Sequence, residues 1–440
     1  MAGCHDNHDS ETTDPMVRFA TFNLAFDRTA PSMLSGELAL TRAAQDALLA
    51  RLADGRLSGA EQTKASNVRQ IRNVAEIIQR TRPDVLLLNE FDNDGKGEHT
   101  TDLQAFNDHY LAHPQHDEVE PIRYPVLQNF ATNTGLMSGH DLNLDGRVSG
   151  PDDAWGFGSY HGQYALAVMS KFPIDTQGIR TFQTFKWKDM PGESNPVIDD
   201  CHHPRAPIPA GRQCGEPWYD EAAWQTFPLS SKNHADVPVR IRQGDREEVV
   251  HFLVSHPTPP IFANAARHNV KRNRAEIAFW QDYVAGAGYM VDDAGKAGGL
   301  PAGARFVIAG DLNADPLAGD GDRGAIQALL RHDKVNQAVT HGALIPVSQG
   351  GPESLAKGSD CKRHHTRPHP ARITSSSGLQ LDHLIPSANL NAVASGVFWP
   401  ASFEPGYHLV YDAKLGIAKG VSSDHRLVWV DLELGPGRAI

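Results

Sequence analysis

Val85-Leu86-Leu87-Leu88 is an unbroken apolar run that delivers Asn89-Glu90 at its carboxyl end. Such runs are found in strands buried on both faces. Similar strands are expected at Ala165 to Met169, Val249 to Ser255, Phe306 to Ala309, Leu381 to Ile385 and Leu427 to Leu432. The first strand, Val17 to Asn23, alternates instead, with Phe19, Thr21 and Asn23 on one face and Ala20 and Phe22 on the other. Helical spacing starts at Ser58: Ser58 and Glu61 are spaced as a capping box, and Val68, Ile71, Val74 and Ile78 form one stripe. Arg82-Pro83 should end that helix. Arg274 to Val284 and Gly324 to Leu330 also read as helices.

Strand and helix signals alternate from Arg18 onward, with no repeat at solenoid or propeller spacing. A chain of 440 residues could hold two or three average domains, but one large α/β sandwich with insertions reaches the same size. The expected organisation is a disordered tail over 1–15 and a single domain over 16–440. Within it, about 129–160 (rich in Gly, Asp and Asn) and about 186–240 (rich in Pro, His and Trp) read as insertions. No apolar stretch approaches the ~20 residues of a membrane span. A net charge of -12 disfavours holding nucleic acid on a broad basic surface, and leaves open a nuclease with a locally positive or metal-filled cleft.

Two features suggest an extracytoplasmic location. Cys201 and Cys214 bracket a Pro-rich segment that a disulfide would close, two free thiols being the equal alternative. Ala2-Gly3-Cys4 before a polar stretch resembles the residues just after the cleavage point of a bacterial lipoprotein signal.

The chemistry lies where the apolar runs end. In Gly310-Asp311-Leu312-Asn313, Asp311 and Asn313 are two apart and project to one side, where a carboxylate and an amide can orient a water or hold a phosphoryl oxygen. In Ser422-Ser423-Asp424-His425, Asp424 can bind metal and His425 can exchange a proton. Each motif alone is also an ordinary turn. In sequence order, Phe22-Asn23, Asn89-Glu90, Ser255-His256, Gly310-Asp311-Leu312-Asn313, Leu381-Asp382-His383-Leu384 and Ser423-Asp424-His425 resemble the motif set of the endonuclease/exonuclease/phosphatase superfamily. Met169-Ser170-Lys171-Phe172-Pro173-Ile174 is similar to the family's Ser-Lys-x-Pro-Ile segment, and the resemblance covers roughly Arg18 to Leu434.

That family includes secreted deoxyribonucleases, apurinic-site endonucleases, sphingomyelinases and inositol polyphosphate phosphatases. The resemblance implies a four-layer α/β/β/α sandwich of two packed mixed sheets flanked by helices, with the site at one end. It makes Glu90 the principal metal ligand, with Asn23, Asp311, Asn313 and Asp424 around the metal and phosphate. His425, oriented by Asp382, would be base or phosphate ligand, and His256 general acid or stabiliser of the phosphoryl oxygens. Whether Asp311 or His425 activates the water stays open. Magnesium, manganese or calcium at such a site would polarise the ester and acidify a water.

After His256 the segment departs from the commonest family pattern: Pro257-Thr258-Pro259-Pro260 leads to Arg267, His268, Lys271, Arg272 and Arg274. Arg272 and Arg274 are the candidate phosphate clamp, the alternative being a solvated first helical turn. A second motif, Asp141 to Asp152, has oxygen donors at Asp141, Asn143, Asp145, Ser149 and Asp152, with the Arg147 carbonyl and a turn-forming Gly146. This is a calcium-loop pattern of the EF-hand type without its two flanking helices. His202-His203 and His364-His365 with His369, near Cys361, match no standard zinc spacing and read as surface loops. Trp155, Phe157, Tyr160 and Tyr164 read as packing of the first insertion.

The expected function is divalent-metal-dependent hydrolysis of a phosphate ester, foremost a phosphodiester, by in-line attack of an activated water. A secreted nuclease acting on DNA or RNA and a phosphomonoesterase are the enzyme alternatives. A calcium-stabilised extracellular binding module is the non-enzyme alternative.

Overall fold

The computed structural model describes residues 16–202, 205–243, 246–356 and 367–435. The expected tail with Cys4, and His203, Cys361, His364 and His365 of the histidine clusters, fall outside the described residues.

Among the described residues eleven strands form two sheets. One contains β1 (Met16–Asn23), β2 (Val85–Asn89), β3 (Val126–Asn129), β4 (Leu166–Ser170), β10 (Asn391–Val397) and β11 (Val428–Glu433), in the order β10-β11-β1-β2-β4-β3. The other contains β5 (Arg180–Thr181), β6 (His234–Gln243), β7 (Arg246–Ser255), β8 (Arg305–Asp311) and β9 (Asp382–Pro386), in that order. Both sheets are mixed: β1 and β2 are parallel, as are β7 and β8, and the other pairs are antiparallel.

Side-chain alternation stacks these sheets into four layers. Phe19, Val85, Leu87, Val168 and Val430 of the first sheet meet Val237, Val239, Phe252, Val254 and Val307 of the second in one buried core. The Phe19 and Phe252 rings lie 5.4 Å apart across it. The opposite face of the first sheet, with Ala20, Phe22, Leu86 and Leu88, packs on Val68, Ile71, Val74 and Ile78 of the helix Gly59–Thr81. The outer face of the second, with Leu253, Phe306, Ile308 and Ile385, packs on Phe279, Trp280 and Tyr283 of the helix His268–Ala285. Each such side chain removed from water contributes ~1.5–3 kcal/mol, so the three cores dominate stability. The run at Val85 is apolar throughout because both faces of β2 are covered.

Several local expectations change. Ser58 stands at the N-cap of the helix Gly59–Thr81 but makes no side-chain cap bond, and Glu61 pairs with Arg51 at 3.0 Å. The capping box is therefore absent because the acid found a cation. The segment read as an insertion to about 240 contains the start of β6, whose Ala235, Val237, Val239 and Ile241 face the core. Its intervening His234, Asp236, Pro238 and Arg240 masked that alternation. Cys201 and Cys214 form a disulfide with Cα atoms 5.7 Å apart. No helix among the described residues is long and apolar enough to cross a membrane.

Candidate active site

Parallel pairing brings the carboxyl ends of β1 and β2 together, and likewise those of β7 and β8. Asn23 and Asn89 are register partners, as are Asp311 and Asp382, the last residue of β8 and the first of β9. His256 directly follows β7, and Asp424-His425 precedes β11. Six strand ends, from β1, β2, β7, β8, β9 and β11, therefore share one edge of the sandwich.

Hydrogen bonds join the sheets there. Asn23 Nδ2 donates to Glu90 Oε1 at 3.1 Å and to Asp311 Oδ2 at 3.0 Å, so one amide links the two carboxylates. His425 Nδ1 lies 2.8 Å from Asp382 Oδ2, and its Nε2 lies 3.6 Å from Asp311 Oδ2. Thr374 Oγ1 donates to Asp382 Oδ2 at 2.7 Å. Ser423 Oγ donates to the Asn23 carbonyl at 2.7 Å and receives the His425 amide at 3.0 Å, which ties the His425 turn to β1. His256 Nε2 lies 3.3 Å from Asp311 Oδ2. Asn313 Nδ2 donates to the Pro257 carbonyl at 3.0 Å, clipping the Asp311 turn to the His256 loop.

The backbone is shaped to allow this. A Cβ at Gly310 would lie 2.0 Å from the Ser255 carbonyl, so only glycine lets β8 approach β7 at the residue before His256. Glu90 and Asn313 take left-handed φ values of 58° and 51°. Strain of this kind at two proposed site residues turns their side chains off the strand path.

Electrostatics follow from burial and crowding. Burial, then the charges of Asp27 and Asp424, push Glu90 up to about 8 against the pull of Lys419 and His425. Burial raises Asp382 to about 6 although His425 opposes it. Burial works to raise Asp311 too, but His425, His256 and Asn23 hold it below the usual carboxylate range. Burial and Lys232 lower His256 to about 4, so it is neutral near pH 7. Burial would lower His425, yet Asp382 and Asp311 outweigh it and hold it well above the ordinary imidazole value.

Asp311, Asp382 and His425 are buried with ligand atoms within 4.8 Å of one another, close enough to hold a metal ion. A protonated imidazole opposes a cation at that spot. Glu90 suits a hard divalent cation better, because burial, with the negative charges of Asp27 and Asp424, raises it and a bound cation would favour its ionised form.

Not every expected residue belongs to this edge. Arg272 is 5 % exposed and gives its guanidinium to three carbonyls: Leu229 at 2.9 Å, Trp155 at 2.7 Å and Pro228 at 3.0 Å. It also stacks on Phe227. Arg272 thus clasps the Trp155 and Pro228-Leu229 segments to the helix His268–Ala285, and its donors are spent on carbonyls where a phosphate clamp was expected. Arg274 pairs with Glu193 at 2.8 Å. A basic cluster in sequence scattered because helical spacing aims its members in different directions.

In the 141–152 loop, Asp141 accepts the amides of Asp145 and Gly146, Asn143 accepts that of Asp145, and Asp145 accepts that of Arg147. Asp152 is exposed, and its neighbour Asp153 is buried and receives the amides of Leu142 and Ser149. Among the described residues the carboxylates of this loop do not gather as Asp311, Asp382 and His425 do. Trp155 packs edge-on against Phe227, Tyr160 donates to Asp92, and Phe157 is exposed.

Sequence reading missed four charged residues beside the site: Asp27, Lys419, Lys232 and Glu276. Asp27 and Lys419 form an ion pair whose charges act on Glu90. Lys232 precedes β6 and Glu276 lies inside a helix, and neither stands in a motif that would mark it.

A model of the Endonuclease/Exonuclease/phosphatase family matches residues 20–425. No curated protein matches the sequence. Among solved structures, an endonuclease/exonuclease/phosphatase from Beutenbergia cavernae is similar at 15% identity, over 97% of this chain and 73% of that one, with a TM-score of 0.45. A second, from Bacteroides vulgatus, aligns at 12% identity over 96% and 100%, TM-score 0.40. The human Nocturnin catalytic domain with bound sulfate anion aligns at 10% identity over 96% and 94%, TM-score 0.39.

Proposed function

Since the chain belongs to the endonuclease/exonuclease/phosphatase family, whose members are generally phosphoester hydrolases, we propose that it hydrolyses a phosphodiester with a divalent cation, by in-line attack of an activated water. The observation that carries this reading is His425 between Asp382 and Asp311, joined through Asn23 to Glu90.

Glu90 and Asp424 would hold magnesium or manganese; Asn23, whose Nδ2 donates to Glu90 and whose Oδ1 accepts the Ala25 amide, would position Glu90 rather than ligate the ion. Such an ion supplies Lewis acidity, polarising the phosphoryl oxygen and lowering the pKa of a water. Asp311, kept ionised, orients the attacking water and accepts its hydrogen bond. His425, kept cationic by Asp382, offers positive charge to the phosphoryl oxygens as charge develops. His256, neutral, directs its Nε2–H as a hydrogen bond to the ionised Asp311 and so positions that carboxylate. The Cys201–Cys214 disulfide supports a location outside the reducing cytosol.

The test is turnover of a generic phosphodiester, a phosphomonoester and DNA with magnesium, manganese or calcium, for the parent chain and for Glu90→Ala and His425→Ala. The expected result is preference for the diester and a loss of about 10²-fold or more in each variant. Preference for DNA or for the monoester would move the substrate class accordingly. Equal rates in all three proteins, or no turnover with any metal, would sink the hydrolase reading.

A further inference from the structure

Lys232 lies two residues before β6 and is 5 % exposed. Among the described residues its ammonium has no hydrogen-bond or ion-pair partner. A buried ammonium in that state is costly, and so it calls for an anion. Glu276, Glu90 and Asp311 are the carboxylates whose fields reach it. Each is already committed. Glu276 Oε1 accepts the Ser231 amide at 2.7 Å and its Oε2 the Thr258 amide at 2.6 Å. Glu90 Oε1 and Asp311 Oδ2 both receive Asn23.

The same bonds explain how Lys232 is aimed. Ser231 adjoins Lys232 and Thr258 lies two residues beyond His256, so the fully buried Glu276 clasps the two loops that carry this cation and this imidazole. Lys232 depresses the basicity of His256, whose Nε2 lies 3.3 Å from Asp311 Oδ2. With Arg272 and Arg274 bonded elsewhere, Lys232 supplies the positive charge expected of them.

We propose that Lys232 is a substrate-contacting residue whose ammonium takes a non-bridging oxygen of the phosphoryl group, and that Glu276 is the positioning residue holding it beside His256. This rests on the phosphoester reading and adds to it the side chain that meets the charge of the phosphate. A lysine suits the task as a compact donor to a single oxygen, and a phosphate beside it would favour the ammonium form that burial disfavours.

The test is calorimetric titration of the parent chain, Lys232→Gln and Lys232→Arg with inorganic phosphate in the presence of magnesium, and with magnesium alone. Lys232→Gln should weaken phosphate about tenfold or more, the loss expected for one charge-assisted hydrogen bond. Lys232→Arg should return it to within about threefold, and neither variant should weaken magnesium binding. A Gln variant that holds phosphate as tightly as the parent overturns the proposal. In the unaltered chain, phosphate should slow acetylation of Lys232 by trace acetic anhydride, read by mass spectrometry; equal rates with and without phosphate overturn it however the variants fold. The two readings fail separately. Ester hydrolysis that Lys232→Gln leaves unchanged refutes the lysine alone, and phosphate binding through Lys232 in a chain that hydrolyses no ester refutes the hydrolase reading and supports the lysine.

Discussion

His425 Nδ1 stands 2.8 Å from Asp382 Oδ2 although the two residues are 43 apart in sequence. Asp382 is the charge that contributes most to raising His425. Asp382→Asn should therefore let the imidazole lose its proton and its fixed orientation. Turnover of a phosphodiester should fall about 10²–10⁴-fold, with magnesium affinity retained. Steady-state kinetics and calorimetry check this, and an unaltered kcat would remove His425 from the proposed mechanism.

Glu90 gives the pH dependence. Its folded-state pKa of about 8 lies above the ordinary 4.5. Unfolding then releases a proton from this group, so its contribution to stability is present below pH 4.5 and is lost as pH rises through about 8. A cation bound there needs the ionised form. Magnesium binding at pH 7 should release protons, seen as a binding enthalpy that varies with buffer ionisation heat, and affinity should rise with pH up to about 8. Glu90→Gln should lose both the release and the slope. Buffer-independent enthalpy in the parent chain would contradict Glu90 as the ligand.

Arg272 and Arg274 should behave oppositely to a phosphate clamp. Arg272→Met strands three buried carbonyls and should cost about 3 kcal/mol, measured by urea unfolding. Arg274→Ala loses one partly exposed ion pair and should cost ~0–1 kcal/mol. Neither arginine touches the site edge, so KM in Arg274→Ala should match the parent. A large KM increase there would return it to substrate binding.

For the 141–152 loop we propose weak calcium binding, supported by Asp141, Asn143 and Asp145 sharing one turn. Exposed Asp152 makes it a low-affinity site. Millimolar calcium should raise the melting temperature of the parent by a few degrees and leave that of Asp141→Ala unmoved. If neither shifts, the loop is a turn closed by its own amides.

Most strands, though not the short or edge strands β3, β5 and β10, were legible because period-two and continuous apolar patterns report directly on which faces are covered, and the run at Val85 announced a strand buried on both sides. β6 was not, because His234, Asp236, Pro238 and Arg240 interrupt its core-facing residues with types that speak for loops. The motif residues were legible for a different reason: each alone reads as an ordinary turn, but six of them in one order at the ends of apolar runs resemble a family's set. Lys232 carried no such signal, since a lysine beside an asparagine and a histidine reads as surface until its burial is known.

By itself the chain's sequence determined most of the strands and the roster of acids, amides and imidazoles at their ends, and the order of those motifs pointed to the layers only through their resemblance to a known family. Tertiary structure alone decided partnership. Asn23 bridges Glu90 and Asp311 because the two sheets pack face to face with those strand ends at a shared edge. Arg272 turns to the carbonyls of Trp155, Pro228 and Leu229 because packing brings those segments to the helix, and among the described residues Lys232 finds no hydrogen-bond or ion-pair partner while Glu276 accepts two backbone amides. Hydrogen bonds act over about 3 Å, and which groups come that close is a property of the folded packing and not of spacing along the chain.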